Sequence, residues 1–114
     1  MSNNTIKDLT GPLEFDEVIG FLKDKWGVSY EIRILIRDKN AFLQIMWGFL
    51  EQKSFPENEM DYRNSLSKVL EVINRSGQAP LVRHWFMTVK DRPKVGKALS
   101  LRLERSDRLD EFVI

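Results

Sequence analysis

Few residues of this chain have side chains suited to nucleophilic or metal chemistry. The 114 residues include no cysteine and one histidine, His84, so the zinc sites that combine several Cys and His ligands are excluded. A Ser-His-Asp centre would have to use His84, which lies between Arg83 and Trp85 in a segment with helical spacing, and no Gly-x-Ser-x-Gly sequence is present. We therefore expect His84 to be a surface or boundary residue and the protein not to be an enzyme.

The carboxylates and glycines of the sequence give little further indication of a metal or phosphate site. Glu57, Glu59 and Asp61 leave an oxygen-only magnesium or calcium site open, but they lack EF-hand spacing and are typical of acids at a helix N-terminus. The glycines form neither Gly-x-Gly-x-x-Gly nor the phosphate loop Gly-x-x-x-x-Gly-Lys. We expect no metal and no cofactor. An enzyme with a carboxylate or lysine centre would need a pocket with shifted pKa values, which a sequence does not reveal.

A basic segment, Lys90 to Lys97, is the most suggestive local feature. It holds four cations and one acid, and Arg102, Arg105 and Arg108 follow it. Residues 75–108 carry nine Lys/Arg and three Asp/Glu, whereas residues 1–74 carry nine and twelve. This asymmetry indicates either an acidic partner surface or phosphates, or simply a solvated face.

An aromatic segment, residues 47–56, is the second feature. It contains Trp47, Phe49, Phe55 and Leu50 within ten residues, which is more than one strand face can bury. The segment forms either an exposed apolar patch of the kind that binds proteins or ordinary core with a packed turn.

Periodicity predicts the elements that position these segments. Apolar residues at helical spacing predict a helix from Phe15 to Trp26, closed by Gly27. Alternating segments at 28–37 and 41–47, joined by turn residues 38–40, predict a β-hairpin. Residues 48–53 either extend the second strand or form a short helix.

The second half of the chain predicts two helices and a strand. Asn58 is a candidate N-cap for a helix that reaches about Arg75. Pro80 opens a third helix, which we expect to include Lys90 and Arg92 and to end at Pro93. Leu99, Leu101 and Leu103 place a strand at 98–104.

The predicted fold class is α+β, with the order α-β-β-α-α-β. The expected sheet is small, three-stranded and mainly antiparallel, with three helices on one face. Residues 1–10 are expected to be a flexible leader, 11–104 a single domain and 105–114 a charged tail. The composition, 42% hydrophobic and 31% charged, suits one globular domain. The polar N-terminus and the absence of a long apolar run predict a soluble, cytoplasmic or at most peripheral protein.

Four stretches of the chain resemble an uncharacterised family of cyanobacteria and plastids over residues 11–104. They are Lys25-Trp26-Gly27 with Ser29-Tyr30, Leu43-Gln44-Ile45-Met46-Trp47, Leu50-Glu51-Gln52-Lys53-Ser54-Phe55-Pro56, and Arg92-Pro93-x-x-Gly96-Lys97-Ala98. The stretch beginning at Leu50 is the most specific of them, and Gly48-Phe49 departs from the pattern. The family carries no assigned catalytic residues. The resemblance implies a role tied to photosynthesis, because plastid members are linked to photosystem I assembly.

These observations favour a non-enzymatic adaptor or assembly factor that binds a protein partner with an acidic surface. That partner would be a photosystem subunit or an assembly factor, and the location would be the cytoplasm, extending to the cytoplasmic face of the thylakoid. The alternative is a nucleic-acid-binding domain that uses the same basic third. The residues expected to contact the partner are Trp47, Glu51, Phe55, Arg92, Lys94 and Lys97.

Overall fold

The computed structural model describes residues 9–104. Its elements are α1 (Phe15–Trp26), β1 (Tyr30–Arg37), β2 (Asn40–Phe49), α2 (Glu59–Arg75), α3 (Ala79–Thr88) and β3 (Leu99–Arg102). The predicted fold class and element order are confirmed. The first eight residues of the predicted leader and the whole predicted tail, 105–114, lie outside the described residues.

The sheet is antiparallel throughout, in the order β1-β2-β3. Asp38 and Lys39 form the tight turn between β1 and β2, with φ of 54° and 68°. A two-residue hairpin turn whose twist matches that of the flanking strands requires positive φ at both positions. Across the sheet, Leu43 pairs with Ile34 on one side and with Leu101 on the other. Side chains in register on one face therefore form a continuous apolar layer.

The three helices cover this apolar face of the sheet. Their inward stripes join the strands in one core, whose most deeply buried members are Phe86, Leu22, Leu43, Ile45, Leu66, Ile73, Val18 and Val82. Asn58 begins α2 as expected, because its side-chain oxygen accepts a hydrogen bond from the Asp61 N–H at 2.8 Å.

An irregularity in β2 answers the question left open at residues 48–53. Ile32 pairs with Ile45, but Tyr30 pairs with Phe49, so β2 contains two more residues than β1 in this interval. Such a bulge bends the strand and redirects its side chains. Gly48 and Phe49 therefore belong to the strand, and the chain turns only after them.

The third helix is shorter than we predicted. It ends at Thr88, and Val89 already has an extended backbone with φ −66° and ψ 132°. The Lys25 ammonium group donates to the Val89 carbonyl at 2.5 Å. This oxygen would have no helical donor, because the residue four positions on is Pro93, which lacks an N–H. The prediction that Lys90 and Arg92 lie in the helix is wrong, and both belong to the loop that follows. Likewise, β3 spans Leu99–Arg102 rather than 98–104.

A buried ion pair holds the segment that precedes α1. Arg83 is only 3% exposed, and its guanidinium group donates to both carboxylate oxygens of Glu17, at 2.6 and 3.0 Å. It also donates to the carbonyls of Leu9 and Pro12, at 2.6 and 3.1 Å. Burying such a charge is tolerable only when it is paired and hydrogen-bonded in this way.

Two side-chain amides fasten chain segments to the end of α2 and the start of α3. Asn74 donates to the Leu13 carbonyl at 2.9 Å and accepts from the Leu13 N–H at 2.8 Å. Gln78 does the same for Glu104, at 2.9 and 2.5 Å. Each amide replaces a missing backbone partner, so both ends of the described domain are fixed.

Candidate functional site

Five of the six predicted contact residues line two cavities. Glu51 and Phe55 lie in the first, together with residues of α1 and α2, and Arg92, Lys94 and Lys97 lie in the second. Trp47 lines neither of these two, although it is 37% exposed. The structure thus groups these five residues into two surfaces, one from each of the two segments.

The first cavity, which we call the aromatic cavity, encloses about 650 Å³ between α1, the turn after β2 and the start of α2. Its apolar lining comes from Phe15, Ile19, Leu50, Phe55 and Tyr62. Its polar lining is Asp16, Lys23, Ser29, Glu51, Gln52, Lys53, Glu57, Asn58, Glu59 and Arg63. The cavity therefore has an aromatic floor and a rim that carries both signs of charge.

Glu51 is held in place by Ser29. One carboxylate oxygen accepts the Ser29 backbone N–H at 2.8 Å and the other accepts its hydroxyl at 2.9 Å, while the Lys23 ammonium lies 3.8 Å away. Partial burial by itself would raise the pKa of Glu51, but the bonds from Ser29 and from its own backbone, with the nearby Lys23 charge, lower the pKa below its ordinary value. Glu51 is thus a fixed, ionised acceptor.

Phe55 closes the other side of the cavity. Its ring contacts Tyr62 edge-on, with 6.2 Å between centroids, and lies 3.6 Å from where a Cβ at Gly48 would be. A side chain at Gly48 would therefore meet the Phe55 ring at an ordinary van der Waals distance, so the position of the ring does not require a glycine there. Burial raises the pKa of Tyr62, aided by the neighbouring carboxylates, so this hydroxyl stays protonated and donates to the Tyr30 carbonyl at 2.8 Å.

The second cavity, which we call the basic cavity, encloses about 310 Å³ in the loop between α3 and β3. It is lined by Lys90, Asp91, Arg92, Lys94, Lys97 and Leu99. Lys94 and Lys97 face each other across a two-residue turn through two backbone hydrogen bonds, of 3.0 and 2.7 Å. Gly96 supplies the positive φ of 76° that this turn needs. The loop is therefore a defined hairpin turn.

The cations of this loop differ in how firmly they are held. Arg92 donates through Nε to the Tyr30 hydroxyl at 3.0 Å, and the next residue, Pro93, is buried. Within residues 9–104, Lys90, Lys94 and Lys97 have no carboxylate within ion-pair distance. Val95, at the tip of the turn, is 87% exposed. The result is an anchored loop that presents three unpaired ammonium groups.

Tyr30 lies between the two cavities and connects their walls. Its hydroxyl binds Arg92 on one side, and its carbonyl accepts the Tyr62 hydroxyl on the other. Its ring also packs edge-on against Trp26 and Phe49. Sequence reasoning assigned Tyr30 to a strand and missed this role, because the partners come from distant parts of the chain.

Residues singled out for metal or catalytic chemistry have ordinary surroundings. His84 is exposed, and Glu59 and Asp61 lie in the first turn of α2. No group of three or more His, Cys, Asp or Glu side chains between residues 9 and 104 is arranged to hold a metal ion. In the same part of the chain, no helix has the length and apolar character needed to cross a bilayer.

Comparison with known proteins gives the family. A family model described as "Domain of unknown function (DUF3067)" matches residues 16–113. The chain belongs to this family. The DUF3067 match continues past the last described residue and includes most of the segment predicted as a charged tail.

A solved structure supports the assignment. The chain is similar to the solution NMR structure of the Alr2454 protein from Nostoc sp. strain PCC 7120, with 37% sequence identity and a TM-score of 0.77. The alignment covers 90% of this chain and 98% of that one. No curated protein matches the chain. The DUF3067 fold and its occurrence in a cyanobacterium are therefore established, and the expected resemblance to an uncharacterised cyanobacterial family is confirmed to that extent.

Proposed function

We propose that this DUF3067 protein is a non-enzymatic adaptor or assembly factor that binds the acidic surface of a protein partner through the basic cavity. The observation that carries the proposal is the set of unpaired cations, Lys90, Lys94 and Lys97, on a loop that Arg92 and a buried proline anchor. Binding surfaces gain from such preorganisation, since little conformational entropy is lost when the partner docks.

Charge and shape both suit a protein partner. Lysines at a rim steer an acidic protein toward the surface and orient it, and the exposed Val95 between Lys94 and Lys97 adds an apolar contact at the centre. Aromatic side chains for base stacking do not line the basic cavity, which disfavours the nucleic-acid alternative for single strands.

We further propose that the partner belongs to the photosynthetic apparatus and that binding occurs at the cytoplasmic face of the thylakoid. Two points support this part: the resemblance of four stretches of the sequence to an uncharacterised family of cyanobacteria and plastids, and the similarity to the cyanobacterial protein Alr2454. A photosystem I subunit or one of its assembly factors is the partner we expect.

The experiment compares two charge reversals of equal size. Lys94→Glu with Lys97→Glu alters the basic cavity, whereas Arg37→Glu with Lys68→Glu changes the net charge equally at exposed positions outside it. Arg92 is left intact because its bond to Tyr30 supports the fold. Each variant, once shown to fold, is used to capture protein from detergent-solubilised cyanobacterial membranes.

The reversal at Lys94 and Lys97 should reduce partner capture by about tenfold or more, because two attractive contacts become repulsive. The Arg37 and Lys68 reversal should leave capture near the wild-type level. Equal losses in both variants would mean that only net charge matters. A nuclease-sensitive interaction with a steep salt dependence would instead support nucleic acid.

A further inference from the structure

We infer that the aromatic cavity is a second binding site, which takes a lysine or arginine side chain of a peptide segment together with an adjacent apolar residue. This site is separate from the basic cavity and does not depend on the function proposed above. Its wall is built from α1, the turn after β2 and the start of α2.

The size and floor of the cavity suit a side chain. About 650 Å³ is enclosed, which lies in the range of ligand pockets, roughly 300–1,000 Å³. Phe15, Ile19, Leu50 and Phe55 are each only partly buried although they pack against the core. They therefore offer apolar surface that a ligand can cover.

A cation already rests on this floor. The Arg63 guanidinium lies 4.2 Å from the centroid of the Phe15 ring, a geometry in which the ring face attracts positive charge. Because Arg63 covers Phe15, the ring left for an incoming basic side chain is Phe55, on which no described cation lies.

The charged side chains of the rim determine which charge a ligand should carry. Four acids, Asp16, Glu51, Glu57 and Glu59, face three bases, Lys23, Lys53 and Arg63. Lys23 is near Glu51 and Arg63 is on Phe15, and Glu57 accepts the Ser65 hydroxyl at 2.9 Å.

The remaining rim charges leave room for a cation. Asp16 and Glu59 have no hydrogen-bond or ion-pair partner among residues 9–104. Glu51 is ionised and fixed by single bonds to each oxygen, so it retains acceptor capacity. Lys53, on the same rim, also has no described partner. The unpartnered rim charge is therefore two acids against one base and, with Glu51 added, favours a basic ligand over an acidic one.

The test is an NMR titration of the isotope-labelled full chain with two capped peptides, Gly-Leu-Lys-Phe-Gly and Gly-Leu-Glu-Phe-Gly. The lysine peptide should shift the amide signals of Ser29, Glu51 and Phe55, and the glutamate peptide should not. Glu51→Gln and Glu59→Gln should each weaken binding about threefold or more. Glu71→Gln, on the same helix as Glu59 but outside the cavity, should have no effect.

Two design features keep the outcomes distinct. Glu59→Gln changes an exposed side chain without a described partner, and the amide spectrum of the variant shows directly whether it is folded. Lys94→Glu with Lys97→Glu should leave peptide binding unchanged, so failure of the adaptor proposal would not remove this one. Equal shifts from both peptides, or shifts confined to Lys94 and Lys97, would overturn the inference.

Discussion

Glu17 and Arg83 are the charged side chains whose environment differs most from a solvated surface. Removing one partner leaves the other charge buried, so Glu17→Ala should lower the free energy of unfolding by about 3 kcal/mol. Asp24→Ala, an exposed acid of the same helix, should change it by less than about 0.5 kcal/mol. Urea denaturation of both variants checks this. A loss below about 1 kcal/mol for Glu17→Ala would show that the pair contributes little.

Glu51 leads to a prediction about pH. Although burial opposes ionisation, the bonds from Ser29 and the Lys23 charge lower its pKa in the folded state. Its contribution to stability is therefore complete above the ordinary glutamate pKa and is lost as the pH falls through the lowered value. The stability difference between the wild type and Glu51→Gln should shrink between pH 7 and about pH 3. A difference that stays constant or grows on acidification would contradict this.

Sequence patterns revealed some of these residues and not others. The spacing of α1 placed Glu17 in its first turn, and Arg83 was recognised only as a neighbour of His84. Nothing local distinguishes a buried arginine from an exposed one, because the Glu17 carboxylate and the Leu9 and Pro12 carbonyls reach it from more than 60 positions away along the chain. Long-range packing decided its role.

Among the elements, β3 is followed by Glu104, whose backbone is held by a side chain. Gln78 supplies both hydrogen bonds to the backbone of Glu104, so Gln78→Leu should cost about 1–2 kcal/mol of stability. It should also accelerate hydrogen exchange at the Glu104 amide by about tenfold or more. Gln44→Leu, which removes only a bond to the Ser100 hydroxyl on the exposed face, is the control. Unchanged exchange at Glu104 would show that Gln78 is dispensable.

Element types followed from periodicity, and element ends did not. The 3.6-residue and two-residue patterns predicted every helix and strand in order, since burial on one face imposes those periods. The end of α3 was misplaced because Lys90 and Arg92 are compatible with a helix. The contact between Lys25 of α1 and the carbonyl of Val89, just after α3, joins residues far apart in the sequence, so neither segment alone could reveal it. The bulge that keeps Gly48 and Phe49 in β2 was equally hidden.

At the scale of the whole molecule, residues of the aromatic segment and of the basic segment line two separate cavities. Glu51 and Phe55 were expected from the aromatic segment, and Arg92, Lys94 and Lys97 from the basic one. The residues that complete the cavities, such as Ser29, Arg63 and Tyr62, belong to other elements. Their positions depend on how α1 and α2 pack on the sheet. This packing belongs to the three-dimensional DUF3067 fold and could not be predicted from the spacing of residues along the chain.

The adaptor proposal is tested most directly by the ratio of photosystem subunits captured by the Lys94 and Lys97 reversal to those captured by the wild type. The capture uses nuclease-treated, detergent-solubilised cyanobacterial membranes and quantitative mass spectrometry, with the Arg37 and Lys68 reversal measured in parallel. We predict a ratio of about one tenth for the basic-cavity variant and near one for the control. A ratio near one for both variants, or no photosystem subunits retained by the wild type, would contradict the proposal.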